Sequence, residues 1–320
     1  MKKILVLLIS CVVLSSIAQQ QEHYSMYMMN NFLVNPAEAG TEDFIDLNLG
    51  YRNQWVGFEG GAPEEFFISG HAAIKKEVSS IGTRDLAFHG VGGAVIKDKI
   101  GPFDITNVKL AYAYHLPIHK HFYLSVGAFG GIKQFKYSAS AVEWSKDGSV
   151  EKGFESDISN LVPDVSVGMW GYSKKFYFGF TSFQLVPASF VDANVTSVAN
   201  NAELSAHHWA TAGYNIVIDS AQHWNVVPSI VFKAVKGTYP SLDFNVKVKY
   251  NNFVWGGVSY RTQDAVVLMA GLTFKKMVDI GYAYDITTST VRNYSSGSHE
   301  LLLALRLPNH EHNPPQPQFW

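Results

Sequence analysis

Residues 242–250 read Leu242-Asp243-Phe244-Asn245-Val246-Lys247-Val248-Lys249-Tyr250. Successive side chains of a strand point to opposite faces. In that conformation Leu242, Phe244, Val246, Val248 and Tyr250 form one apolar face. Asp243, Asn245, Lys247 and Lys249 form a polar one. The same two-residue alternation recurs in about fourteen segments, of the length that a tilted strand needs to cross a bilayer, about 9–11 residues. The segments predicted as strands are 44–53, 66–74, 87–97, 104–116, 121–135, 162–172, 175–185, 207–218, 224–234, 241–250, 252–261, 264–274, 277–287 and 299–307. Their polar faces carry charges deep inside the strands. A charge at the middle of a lipid face costs about 2–4 kcal/mol, so these faces should line a lumen. The fold expected is all-β, an up-and-down antiparallel transmembrane barrel over 44–307.

The ends of the chain fit an exported protein. Met1-Lys2-Lys3, an apolar run from Ile4 to Leu14, and Ser16-Ile17-Ala18 have the layout of a secretion signal, with cleavage expected after Ala18. Leu8-Ile9-Ser10-Cys11 offers a competing lipoprotein-type site, but it would leave an apolar core only from Ile4 to Leu8. Cys11 is the one cysteine. A mature chain starting at 19 therefore has no disulfide, thiolate metal site or cysteine nucleophile. A net charge of −2 gives no reason to expect nucleic acid as a partner. No run of 18 apolar residues follows the signal, so helical spans are excluded.

The connections carry a second argument. Ser173-Lys174, Asn251 and Lys275-Lys276 are tight, whereas 136–161, 186–206 and 288–298 are long. Adjacent strands alternate direction, which places the long three on one rim and the tight three on the other. Bacterial barrels keep short turns in the periplasm and long loops outside. An even strand count then puts both termini in the periplasm. Residues 19–43 are either a periplasmic tether or a segment tucked into the barrel. The loop 54–65 is rich in aromatics, and 308–320 is a proline-rich tail.

No catalytic constellation emerges. His71, His89, His115, His119, His121, His207, His208, His223 and His299 lie in no nucleophile motif, and G-x-S-x-G is absent. His310 and His312 in the tail make a poor metal site. Glycine pairs such as Gly92-Gly93 and Gly130-Gly131 lie within strands and precede no helix, so they are not phosphate loops. No enzyme activity, cofactor or metal is expected.

The N-terminal third carries a resemblance. Glu22-His23-Tyr24-Ser25-Met26-Tyr27-Met28-Met29-Asn30 leads into Asn35-Pro36-Ala37-Glu38-Ala39-Gly40. Leu47-Asn48-Leu49-Gly50-Tyr51-Arg52-Asn53-Gln54-Trp55 and Gly61-Ala62-Pro63 follow. This resembles the PorP/SprF family of the Bacteroidetes type IX secretion system. Glu38 departs from the less charged residue expected there. The resemblance implies an outer-membrane barrel that partners a secreted surface adhesin bearing a type B C-terminal sorting domain, in export, anchoring or both. Some members are instead linked to the core secretion and gliding machinery, working with periplasmic lipoproteins. A small-solute diffusion channel is a further alternative.

For an adhesin partner, the outer loops are the expected docking surface. Trp144, Phe154, Val186 and Phe190 offer apolar anchors beside Lys146 and Asp147; the blander alternative is that these loops only cover the barrel mouth. Tyr24, Tyr27, Asn35, Pro36, Gly40, Tyr51, Arg52, Gln54 and Trp55 are the expected family-motif and plug residues.

Overall fold

A computed structural model describes residues 24–58, 61–74, 87–119, 121–139, 157–187, 205–219, 223–236 and 238–309. Its strands are β1 (Phe44–Asn53), β2 (Glu64–Ile74), β3 (Phe88–Ile100), β4 (Phe103–His119), β5 (Phe122–Tyr137), β6 (Ile158–Ser173), β7 (Phe176–Phe183), β8 (His207–Tyr214), β9 (Ile216–Val217), β10 (Trp224–Val235), β11 (Ser241–Tyr250), β12 (Val254–Arg261), β13 (Ala265–Phe274), β14 (Val278–Thr287) and β15 (Ser298–Pro308). All neighbours are antiparallel. β1 pairs with β15 from Phe44↔Pro308 to Asn53↔His299, and this seam closes the sheet. β8 and β9 are one stave, so the fifteen segments make a closed barrel of fourteen staves.

The break in that stave has a local cause. β10 keeps one register across it, with Ser229↔Gly213 on one side and Val226↔Ile216 on the other. Pro228 lies between and has no N–H to give, so the ladder lapses there. Pro163 has the opposite effect. The sequence places the start of β6 at 162, next to this proline, yet the strand begins at Ile158. Val165 gives its carbonyl to the Leu185 N–H at 2.9 Å. By the two-residue period Pro163 faces the same side, beyond the end of β7. Its missing donor costs no ladder bond, and β5 pairs β6 out to Tyr137↔Ile158.

Side-chain direction follows the alternation, inside out relative to a soluble protein. In β11, Asp243, Asn245, Lys247 and Lys249 are buried, whereas Phe244, Val246 and Tyr250 are exposed. Leu110 of β4, the most exposed apolar wall residue at 71%, faces outward between the inward Lys109 and Ala111. Phe176, Tyr214, Trp224, Tyr250, Phe253 and Phe274 form an outward aromatic belt near one rim. Leu110→Arg should cost about 2–4 kcal/mol in urea titrations of the liposome-embedded barrel, and Leu110→Phe close to nothing. Equal effects would mean that this face does not meet lipid.

One rim, here the turn rim, carries the connections 174–175, 218–223, 251–253 and 275–277 and the start of β1. The opposite loop rim carries 54–63, 138–157, 184–206 and 288–297. Length does not sort perfectly: 75–87 joins β2 to β3 on the turn rim, and the tight 101–102 lies on the loop rim. The paired lysines Lys275 and Lys276 both take positive φ, 51° and 57°, as do Asn251 and Asn252. These two-residue turns need that conformation to match the twist of their strands.

The core lies within the lumen, not in the wall. Met26, Tyr27, Met28, Phe32, Leu33 and Val34 pack against inward Phe67, Ile96, Phe129, Trp209, Trp255 and Leu302. Residues 24–43 therefore fill the barrel, which excludes a tether for this part of the N-terminal segment. The first and last strands meet at the turn rim, where Phe44 and Pro308 are paired. Residues 24–43 run back from there through the lumen, and Tyr24 and Ser25 lie towards the loop rim, opposite Asn309. Counting strands could not reveal an element that crosses without joining the sheet.

Candidate functional site

The lumenal segment, here the strap, is built from three short helical turns, Tyr27–Met29, Asn31–Val34 and Pro36–Glu38. None could stand alone in water, because helices this short do not repay their nucleation cost. The wall holds them. At the loop rim, the Ser25 and Met26 N–H groups donate to Glu300 Oε2 and Oε1 at 2.7 and 3.0 Å. Ser25 Oγ donates to Asp285 at 2.8 Å. Arg52 bridges both carboxylates, at 2.8 Å to Asp285 and 2.9 Å to Glu300, and also reaches Ser25 Oγ. Arg261, Asp243 and Lys233 extend the network, with Lys233 Nζ 2.8 Å from Asp243. Every one of these wall side chains is buried. Such an arrangement needs opposite charges in contact, since a lone buried charge is costly.

Midway, the Tyr27 hydroxyl meets Ser229 Oγ at 2.9 Å, and Asn30 Nδ2 donates to Ser69 Oγ at 2.9 Å. Tyr24 sets its ring edge-on to Phe67, and Phe32 sits against Phe129 and His71. Both amide atoms of buried Asn31 lack a hydrogen-bond partner among the described residues.

Towards the turn rim, Asn35-Pro36-Ala37-Glu38-Ala39-Gly40 forms the foot. Asn35 caps the last helical turn, its Oδ1 accepting from the Ala37 N–H at 3.0 Å. Its Nδ2 donates to the carbonyls of Met169 and Phe180 at 2.9 and 3.2 Å. Pro36 occupies the first helical position, where no N–H is needed. Ser125 Oγ donates to the Ala37 carbonyl at 2.6 Å, and His115 Nε2 to the Ala39 carbonyl at 2.8 Å. Gly40 has φ +80° and lies so close to the Gly90 and Ala73 backbone that a Cβ would collide. Its N–H donates to His71 Nδ1 at 3.1 Å, and His71 Nε2 lies 3.4 Å from Glu38 Oε2. The hydrogen bond that Glu38 makes is local: Thr41 Oγ1 donates to its Oε1 at 3.2 Å.

Glu42 closes the foot beside Arg306, which is paired with Asp279. Glu42 is 1% exposed, and neither carboxylate oxygen has a hydrogen-bond partner among the described residues. A buried carboxylate without a hydrogen-bond partner is costly. The expected result is that Glu42→Gln stabilises the liposome-embedded barrel in urea titrations at neutral pH, and an unchanged or lowered midpoint would contradict it.

The motif residues divide between elements. Tyr24, Tyr27, Asn35, Pro36 and Gly40 belong to the strap, and Arg52 clamps it. Tyr51 points outward with 42% exposure and belongs to the lipid face. Gln54 and Trp55 do not enter the lumen. The Trp55 N–H donates to Ser298 Oγ at 3.1 Å, and Val56 exchanges backbone bonds with Gly297 and Ser296, so this loop prolongs the wall at the rim. The docking candidates Trp144, Lys146, Asp147, Phe154 and Phe190 lie outside the described residues, and Val186 is half-buried at the rim. The inward Phe67, Ile96 and Trp255 were missed from sequence, whereas the alternation places Leu302 on the lumenal side with Glu300 and Arg306, where it is found. The signal for all four is an apolar doublet breaking the alternation, as in Phe66-Phe67, Val95-Ile96 and Leu301-Leu302.

Among the described residues no cluster of histidine, cysteine, aspartate or glutamate could hold a metal ion, and no helix is long and apolar enough to cross a membrane. The family model for the type IX secretion system membrane protein PorP/SprF matches residues 16–305. No curated protein matches the chain. Among solved structures, the chain is similar to a Pseudomonas aeruginosa FadL homologue, with TM-score 0.50 and 11% identity over 86% of this chain and 93% of that one. It is also similar to the CymD monoaromatic hydrocarbon channel, with TM-score 0.52 and 12% identity over 91% and 94%. At such identities the likeness is one of fold.

Proposed function

We propose, from the premise that this chain belongs to the PorP/SprF family of type IX secretion system membrane proteins, that it holds a type IX-secreted surface protein at the loop rim of its outer-membrane barrel. The partner class is an adhesin whose C-terminal domain of the second sorting type docks on the outer loops. The observation that carries holding rather than conducting is the strap. It occupies the lumen from Ser25 at one rim to Asp43 at the other, through contacts with β1, β2, β4–β7, β10, β14 and β15. A secreted chain passing through this barrel would have to displace all of it. The loop rim is the natural docking face, because long connections gather there and barrels keep such loops outside.

Gentle detergent extraction of a tagged protein tests this. A copurifying large secreted protein with a type IX C-terminal domain is the expected result. Periplasmic lipoproteins alone would favour a place in the core machinery, and a partnerless barrel would favour the channel. Deleting 140–158 should release the surface protein from cells while leaving a heat-modifiable barrel. Surface protein retained at wild-type level would sink the docking role of that loop.

A further inference from the structure

We propose that the turn rim binds anionic phospholipid headgroups through two lysine-paired turns, Lys174-Lys175 between β6 and β7 and Lys275-Lys276 between β13 and β14. All four lysines are exposed. Among the described residues none of them pairs with an acid. Their turns are bonded into the barrel, so the ammonium groups are presented from fixed backbones. Ser173 Oγ accepts from the Lys175 and Phe176 N–H groups at 3.2 and 3.1 Å. The Asn215 N–H donates to the Lys175 carbonyl at 2.6 Å. In the second turn, the Met277 N–H donates to the Phe274 carbonyl at 2.9 Å, and the Arg306 N–H donates to the Met277 carbonyl at 2.7 Å.

The depth of these turns identifies the partner. Beside Lys175, Phe176 stacks on Phe122 with ring centres 5.8 Å apart; beside Lys275, Phe274 meets Phe253 edge-on at 5.9 Å. Phe176, Phe253 and Phe274 belong to the outward aromatic belt, and such belts sit at headgroup level. Apolar side chains continue into the turns themselves, where Phe253 is 50% and Met277 38% exposed. The lipid boundary therefore reaches the lysines, whose stems lie along apolar surface while their ammonium groups meet phosphate. Charge selects the anionic class. Among the described residues, the acids of this rim outside the lumen are Asp43 and Asp219. Asp219 is taken up by the His223 N–H and ring, at 2.7 and 3.1 Å. Asp43 stands at the start of β1, beside the end of β15. The loop rim differs: Lys97 pairs with Asp104 at 3.1 Å, and Lys99 faces Glu64 across β2 and β3. The turns 218–223 and 251–253 separate the two lysine pairs around the rim, so each pair holds its own headgroup. None of this depends on which compartment the turn rim meets.

Electron spin resonance of the barrel in phosphatidylcholine liposomes tests the proposal, comparing spin-labelled phosphatidylglycerol with spin-labelled phosphatidylcholine. The expected result is that the motionally restricted lipid at the wall favours phosphatidylglycerol about threefold at low salt. Replacing the four lysines together, Lys174→Gln, Lys175→Gln, Lys275→Gln and Lys276→Gln, should bring the ratio close to one. So should salt at about 1 M, where the screening length is about 3 Å. Lys97→Gln with Lys99→Gln, at the loop rim, should leave the ratio as it was. A ratio near one for the unsubstituted protein overturns the proposal, as does a preference that survives the fourfold substitution or that is lost with the loop-rim pair. Loss of a copurifying acidic protein from the fourfold variant, with the lipid ratio unchanged, would overturn it in favour of a protein partner. Heat-modifiable migration in gels confirms that each variant forms a barrel.

Discussion

Arg52→Ala lowers the stability of the membrane-embedded barrel by about 3–5 kcal/mol, the loss expected when one partner of a buried ion pair is removed. Arg52 is 3% exposed and faces Asp285, Glu300 and Ser25 at once. Without it two carboxylates keep their charge in the interior and lose their nearest cation. Arg261 lies 3.6 Å from Asp285 and compensates only in part. The cause can be separated from lost packing. Adding Asp285→Asn and Glu300→Gln to Arg52→Ala removes the stranded charges and should return a large part of the loss. A triple variant no better than the single one would place the effect in packing. A single variant within about 1 kcal/mol of wild type would show that the clamp contributes no more than an exposed pair.

The second large effect is electrical. In planar bilayers the intact protein is expected to show no steady conductance, and deletion of 24–34 is expected to produce steady open steps. The deletion removes Met26, Phe32 and Leu33 and leaves a lumen lined by Lys109, Lys247, Asp243 and Arg52, a surface that water can wet. It keeps the foot, Asn35 to Gly40, on its bonds to β2, β4, β5, β6 and β7. Because the apolar packing is lost with the deletion, Ser25→Asp provides a milder variant. A carboxylate against Asp285 and Glu300 repels the top of the strap, leaves its apolar contacts intact, and should give brief openings. Steady pores from the unaltered protein would remove the filled-lumen argument and restore the diffusion channel.

The wall was legible in the sequence because two chemistries alternate along it. Asp243 and Phe244 cannot both face lipid, so strand, face and direction follow together. Boundaries slipped where prolines stand: at 163 the missing N–H faces no neighbour, and at 228 it interrupts the facing stave. Neither outcome can be told from the proline alone, since both depend on which side of the strand it turns to. The strap was visible as a composition, but not as a path. Its helical turns are too short to show a period, and its partners are brought together only when the staves close. Arg52 was singled out by its motif, but its role depends on Asp285 and Glu300, more than two hundred residues away in the chain. The apolar doublets at Phe66-Phe67 and Leu301-Leu302 were the readable trace of an occupied interior.

The clamp also lies across the line where the first stave meets the last. Ser25 touches Arg52 of β1, Asp285 of β14 and Glu300 of β15. Their alignment sets Arg52 opposite Glu300 in the ladder. Sliding the final strand by one residue would exchange its lumenal and lipid faces, turning Glu300 into hydrocarbon and Leu301 inward. Joining strands so distant in the chain carries a loop-closure cost that increases with the logarithm of their separation. Ser25 and its three charged neighbours therefore act as a clasp for one alignment of the ring: a seam slipped by one residue forfeits the Glu300 carboxylate to both Arg52 and the strap.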